Sequence, residues 1–182
     1  MDRYAPLRRR TIALVGLMGV GKSSVGRRLA NALEMPFRDA DSEVEAAAGR
    51  SIADIFTDLG EDAFREGERR VIARLLDQEP HILATGGGAF MTPETRALMK
   101  ARAVSIWLKA DIDVLARRIS RKDTRPLLIG KDPIAVLQAQ ADARYPVYAQ
   151  ADLIVETGDA AHQATVEQVI AALTDHLEAH PS

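Results

Sequence analysis

The stretch Thr11-Ile12-Ala13-Leu14-Val15-Gly16-Leu17-Met18-Gly19-Val20-Gly21-Lys22-Ser23-Ser24 settles the fold class. Its first five residues, aliphatic and β-branched, predict a buried strand over 11–15. The run Gly16-x-x-x-x-Gly21-Lys22-Ser23 follows at once, and a helical pattern extends from Lys22 to Leu33. Strand, glycine loop and helix in this order make a phosphate-binding unit. The glycines let main-chain N–H groups wrap phosphate oxygens, and the helix N-terminus adds its positive end. Lys22 supplies a cation near the β- and γ-phosphates, and the Ser23 hydroxyl suits Mg²⁺. A tight packing turn would account for the glycines but not for the Lys-Ser pair. The motif therefore predicts nucleotide binding, and leaves open whether the nucleotide is hydrolysed, transferred or sensed.

Outward from this unit, short apolar runs recur at Ile82 to Thr85, Ala103 to Leu108 and Leu153 to Val155, with a weaker one at Met35 to Arg38. Helical patterns separate them, and this alternation predicts a parallel sheet with helices on both faces. Val166, Val169, Ile170, Leu173 and Leu177 mark a closing amphipathic helix. Arg121 to Asp132 gathers charges, Pro126 and Gly130 between helical patterns and reads as a lid. With 182 residues, 47% of them hydrophobic and 27% charged, the chain suits one domain with one site.

The net charge of −2 offers no basic field for nucleic acid, although 19 of the 24 basic residues are arginines, whose planar forks suit carboxylates and phosphates. No cysteine is present, which excludes disulfides, thiolate metal sites and a cysteine nucleophile. The first ten residues carry Asp2, Arg3 and Arg8-Arg9-Arg10, and the apolar run from Ile12 to Met18 is too short to span a bilayer. A cytoplasmic location and a solvated N-terminal arm over 1–10 are expected. His176 and His180 offer two ligands at i,i+4 without an evident third, and Trp107 reads as core.

Three further segments bear on chemistry. Asp39 and Asp41, two residues apart at a strand end, can face one side of extended backbone. Ser42 with Glu45 has the pattern of a capping box, which frees Asp41 for another task. Asp39 is expected to face the metal through water, and Asp41 to accept a hydroxyl proton or hydrogen bond. Gly86-Gly87-Gly88 follows an apolar strand, where open α/β sheets meet their ligands. Arg65 and Arg144 can clamp a carboxylate, although each alone reads equally as a surface ion pair, Arg65 with Glu61.

Together the phosphate loop, Asp39-x-Asp41, Phe64-Arg65-x-x-Glu68, the triple glycine, Arg125-Pro126-Leu127-Leu128 and Arg144-x-x-x-Tyr148 resemble the shikimate kinase family, in order across about 11–157. The resemblance implies a P-loop NTPase fold of the nucleoside-monophosphate-kinase type: a three-layer α/β/α domain with a five-stranded parallel sheet in the order 2-3-1-4-5. The single kinase domain would span 1–182, with a helical substrate-binding segment over about 39–70 and a mobile lid over about 119–132. It further implies transfer of the γ-phosphate of ATP to the 3-hydroxyl of shikimate, with Mg²⁺ as cofactor, on the way to chorismate and the aromatic amino acids. A monomer is expected, with no nucleic-acid or membrane partner.

Carried over by position, Asp41, Lys22 and Arg125 would be catalytic. Gly19, Val20, Gly21, Lys22, Ser23, Ser24, Arg118 and Arg125 would bind ATP, Arg118 on the adenine and Arg125 from the lid. Asp41, Arg65, Glu68, Gly86, Gly87, Gly88 and Arg144 would bind shikimate, with Glu68 orienting Arg65, and Ser23 and Asp39 would serve the metal. Ser24 departs from the threonine of many relatives, and Gly67 predicts a weakened helix between Arg65 and Glu68. A gluconate-type kinase would keep the phosphate loop but need another acceptor pocket. A nucleotide-dependent switch would leave the Asp39, Asp41, Arg65 and Arg144 cluster unexplained.

Overall fold

The computed structural model describes residues 2–121, 130–159 and 161–181. Residues 122–129 of the expected lid, Arg125 among them, lie outside the described residues. Five strands, β1 (Thr11–Val15), β2 (Phe37–Asp39), β3 (Ile82–Ala84), β4 (Ala103–Lys109) and β5 (Leu153–Glu156), form one parallel sheet in the order β2-β3-β1-β4-β5. The helices are α1 (Lys22–Leu33), α2 (Ala40–Ala48), α3 (Ile52–Leu59), α4 (Glu61–Leu76), α5 (Pro93–Arg102), α6 (Ile112–Ser120), α7 (Pro133–Tyr148) and α8 (His162–Ala179).

The sequence pattern explains the order of burial. β1 and β3 are buried at every residue, as covered parallel strands require, whereas β2 and β5 at the edges alternate partly exposed positions. Across the sheet, Asp39 pairs with Ala84, and Ala84 with Leu14. The carboxyl ends of β2 and β3 thus stop on one rung, one residue short of the end of β1, and the loops that leave all three share one edge. Strand β4 leaves β1 on the other side, so the chain's direction of travel switches at β1, where open sheets of this kind hold ligands.

Helix α1 runs over the sheet close enough that a methyl on Gly26 would come 2.7 Å from the Phe37 ring. Val166, Val169 and Leu173 of α8 are buried, with Ile170 and Leu177 packed at their margin, as the helical spacing predicts. Trp107 is core and meets the Tyr145 ring edge-on at 4.8 Å.

One expectation is corrected here. The N-terminal arm is not merely solvated: Ala5–Arg9 forms a 3₁₀ turn that buries Leu7, and Arg8 reaches the Leu33 carbonyl and pairs with Glu34 at 3.0 Å. One apolar residue among arginines is enough to dock the turn, and a guanidinium at the C-terminal end of α1 meets carbonyls left without helical partners. Helix α4 runs unbroken through Gly67, whose missing side chain leaves open space, and the expected weakening is one of energy rather than of geometry. Packing of Phe64, Val71, Ile72 and Leu75 against the rest of the core outweighs the intrinsic cost of one helical glycine.

Candidate active site

Loops from the carboxyl ends of β1, β2 and β3 enclose a cleft of about 560 Å³. Its floor is the phosphate loop. Gly16 has φ +147°, and a side chain there would strike the Leu108 carbonyl at 2.6 Å, so the turn out of β1 admits only glycine. Lys22 donates from Nζ to the carbonyls of Gly16 and Leu17. The Ser23 hydroxyl donates to Asp39 Oδ2 at 2.6 Å, which ties α1 to the end of β2.

Asp39 also caps α2. Its Oδ1 accepts from the N–H groups of Asp41 at 3.0 Å and Ser42 at 3.3 Å. The expected Ser42–Glu45 capping box is therefore incorrect: α2 starts at Ala40, which puts Ser42 inside its first turn, and Glu45 accepts instead from Ile52 N–H at 3.0 Å, at the start of α3. A carboxylate one residue before the helix outcompeted a hydroxyl two residues within it. Asp41 is still freed for the cleft, by Asp39 rather than by Ser42. Burial, then the charge of Asp39, pushes the Asp41 carboxyl above the ordinary range, against the pull of Lys22 and Arg65.

The triple glycine forms the opposite wall. Thr85, buried ahead of it, donates its hydroxyl to the Leu14 carbonyl at 2.8 Å and fixes the strand end. Each glycine then admits a different charged group. A methyl on Gly86 would come 2.8 Å from Asp41 Oδ1 and 3.1 Å from Glu68 Oε2, and one on Gly87 3.0 Å from the Arg144 guanidinium. One on Gly88 would overlap the Arg65 guanidinium. None of the three has positive φ, so glycine is needed here for space and not for backbone conformation.

Arg65 donates to Glu68 Oε1 at 2.9 Å and stands 3.8 Å from Glu61, the ion pair that the sequence offered. Glu68 is only 2% exposed; burial raises its proton affinity and Arg65 opposes that rise. Arg144 stands one turn before the end of α7, where the Tyr148 hydroxyl donates to the Gly87 carbonyl. Arg118 donates to the carbonyls of Val20 at 3.2 Å and Gly158 at 2.6 Å, clasping the phosphate loop to the segment before α8. Gly19, Gly21, Lys22, Ser23, Ser24, Asp39, Asp41, Gly86, Gly87 and Arg118 line the same cleft.

The sequence model of the shikimate kinase family matches residues 18–174. The chain belongs to the shikimate kinase family. The shikimate kinase of Caulobacter vibrioides is 69% identical over 172 residues, 94% of this chain and 86% of the relative. That of Paramagnetospirillum magneticum is 54% identical over 98% of this chain and 93% of its own length. Among solved structures, shikimate kinase from Acinetobacter baumannii in complex with shikimate superposes with a TM-score of 0.89 at 31% identity, covering 98% of this chain and 99% of that one.

Two residues of this shikimate kinase family site had no role assigned from the sequence. Tyr148 was visible only as the end of Arg144-x-x-x-Tyr148, where i,i+4 spacing on one helix face was the available signal. His162, the first residue of α8, lines the cleft with its ring against Gly21, where a methyl would come within 2.8 Å of Cε1. Nothing in its sequence neighbourhood marks it, because it reaches the site only when α8 docks.

Proposed function

We propose that the chain transfers the γ-phosphate of ATP to the 3-hydroxyl of shikimate, giving shikimate 3-phosphate and ADP. The observation that carries this reading is the triple glycine, against which two carboxylates and two guanidiniums converge, with Asp41, Gly86 and Gly87 lining the cleft that the phosphate loop floors. Arg65 and Arg144 take the acceptor's carboxylate as charge-assisted donors, and Glu68 holds Arg65 in place. Asp41 aligns the attacking hydroxyl or accepts its proton, and its raised proton affinity suits the second task.

On the nucleotide side, the N–H groups of Gly19, Val20 and Gly21 with the α1 N-terminus cradle phosphate oxygens, and Ser23 and Ser24 follow on the first turn. Arg118 borders the base, while Lys22 stabilises charge that develops on the γ-phosphoryl group. Arg125 is the lid residue of this reading and lies outside the described residues.

The cofactor is Mg²⁺. A serine hydroxyl and a carboxylate oxygen 2.6 Å apart at the mouth of the loop fit a hard cation that keeps several waters and takes one or two protein oxygens. Ser23 would hold it directly and Asp39 through water. Bound there it neutralises phosphate charge.

No helix among the described residues is long and apolar enough to cross a membrane. A cytoplasmic monomer completes the proposal, the compartment being the one in which ATP is plentiful. Coupled ADP release tests the reading, with shikimate, gluconate, a nucleoside monophosphate or no acceptor, and Asp41→Asn alongside. Shikimate-dependent release lost in the variant is the expected result. Release with another acceptor keeps the kinase and overturns the substrate, and release indifferent to acceptors points to a hydrolysing switch.

A further inference from the structure

Glu68 has a task beyond orienting Arg65. Its Oε1 is satisfied by the Arg65 guanidinium at 2.9 Å, but its Oε2 is buried without a hydrogen-bond partner among the described residues. That second oxygen faces the α-carbon of Gly86 from the side that Asp41 Oδ1 also faces. The two carboxylates therefore share one side of Gly86, Asp41 lining the cleft and Glu68 buried. A buried ionised oxygen that no protein donor reaches is costly, and protonation relieves that cost.

The surrounding charges decide when relief is needed. Arg65 on α4 and Arg144 on α7 favour the ionised form of Glu68, and Asp41 on α2 opposes it. Farther out, Lys22 on α1, Asp39 at the N-cap of α2 and Glu45 within α2 act on Asp41, and Glu61 stands by Arg65. Tyr148, also on α7, stays a neutral phenol because burial raises it further. In the free site the two arginines balance two inward carboxylates. An acceptor carboxylate that docks on them adds a third negative charge and competes for the N–H groups that hold Glu68.

We propose that Glu68 takes up one proton on Oε2 when the acceptor's carboxylate docks on Arg65 and Arg144, so that acceptor binding is coupled to proton uptake from solvent. The proton sits on the side of Glu68 that faces Gly86. Glu68 is thereby a positioning residue that sets the charge of the pocket. The inference rests on the reading of the acceptor as shikimate.

Calorimetric titration of the whole chain with shikimate tests it, at one pH near neutrality in buffers of different ionisation enthalpy. The expected result is a buffer-dependent heat that reports uptake of a sizeable fraction of one proton, abolished in Glu68→Gln and retained in Asp41→Asn. The wild-type Kd should rise with pH towards about tenfold per unit, the limit for one linked proton, and that of Glu68→Gln should stay flat. Binding heat without buffer dependence, or uptake that survives Glu68→Gln and vanishes in Asp41→Asn, overturns the inference and leaves the kinase reading intact. No binding heat from shikimate overturns the acceptor reading and this inference with it. Should Glu68→Gln fail to fold, infrared difference spectra of Asp41→Asn decide. A new protonated-carboxyl band on shikimate addition supports the proposal, and its absence ends it.

Discussion

The two halves of the cleft are built from different materials. The half proposed for the nucleotide is main chain: nine consecutive residues, Gly16 to Ser24, form a loop and helix N-terminus whose N–H groups would meet the phosphates. The acceptor half is side chain, with Asp41 from α2, Arg65 and Glu68 from α4, and Arg144 from α7 meeting over Gly86, Gly87 and Gly88. A main-chain cradle depends on backbone conformation, so it is compact in sequence and indifferent to most neighbours. A side-chain pocket depends on how four separate elements pack. Changes in the first half should therefore abolish turnover whatever the acceptor, and changes in the second should discriminate between substrates.

Four substitutions sharpen or break this contrast. Asp41→Asn is expected to lower kcat by about 10²–10⁴-fold, the range for losing a positioned acid–base group, with ATP affinity by equilibrium binding unchanged. A parallel loss of ATP affinity would erase the boundary between the halves. Gly88→Ala pushes a methyl into the Arg65 guanidinium. Displacing a charge-assisted contact worth about 1.5–3 kcal/mol should raise KM for shikimate roughly 10–100-fold, and KM for ATP should hold steady in the same assay.

Tyr148→Phe removes the donor to the Gly87 carbonyl inside the core. A cost of about 1 kcal/mol is expected, read as a lowered urea midpoint with a modest rise in KM for shikimate. Gly67→Ala is the smallest effect and has the opposite sign. Its site is open and helical, so a gain of about 0.5–1 kcal/mol is expected in thermal unfolding, with both KM values unchanged. A shift in shikimate KM would show that flexibility at Gly67 serves Arg65.

The same contrast governed how much could be read from the sequence. Strand β1 and helix α1 were legible to their end residues, because the motif, its flanking apolar run and the helical pattern are contiguous. The strand order was not a matter of periodicity and came only with the family resemblance. In the acceptor half, residue types were legible and partners were not. Asp39 took the cap expected of Ser42, because the choice depended on where β2 stops against Ala84. Leu7 docked an arm that its arginines had marked as solvated, and His162 entered the cleft through the packing of α8. Each of these rests on a contact between distant segments, which local pattern does not encode.

Asp39 joins the two halves through a single planar group. One of its oxygens receives the Ser23 hydroxyl of the phosphate loop, and the other receives the N–H of Asp41. A carboxylate cannot turn one oxygen without turning the other. Any tug on Ser23 when a nucleotide arrives is therefore conveyed, across one sp² carbon, to the backbone that carries Asp41. The two substrates of this cleft are mechanically acquainted before they touch, and the binding of either should be felt in the affinity for the other.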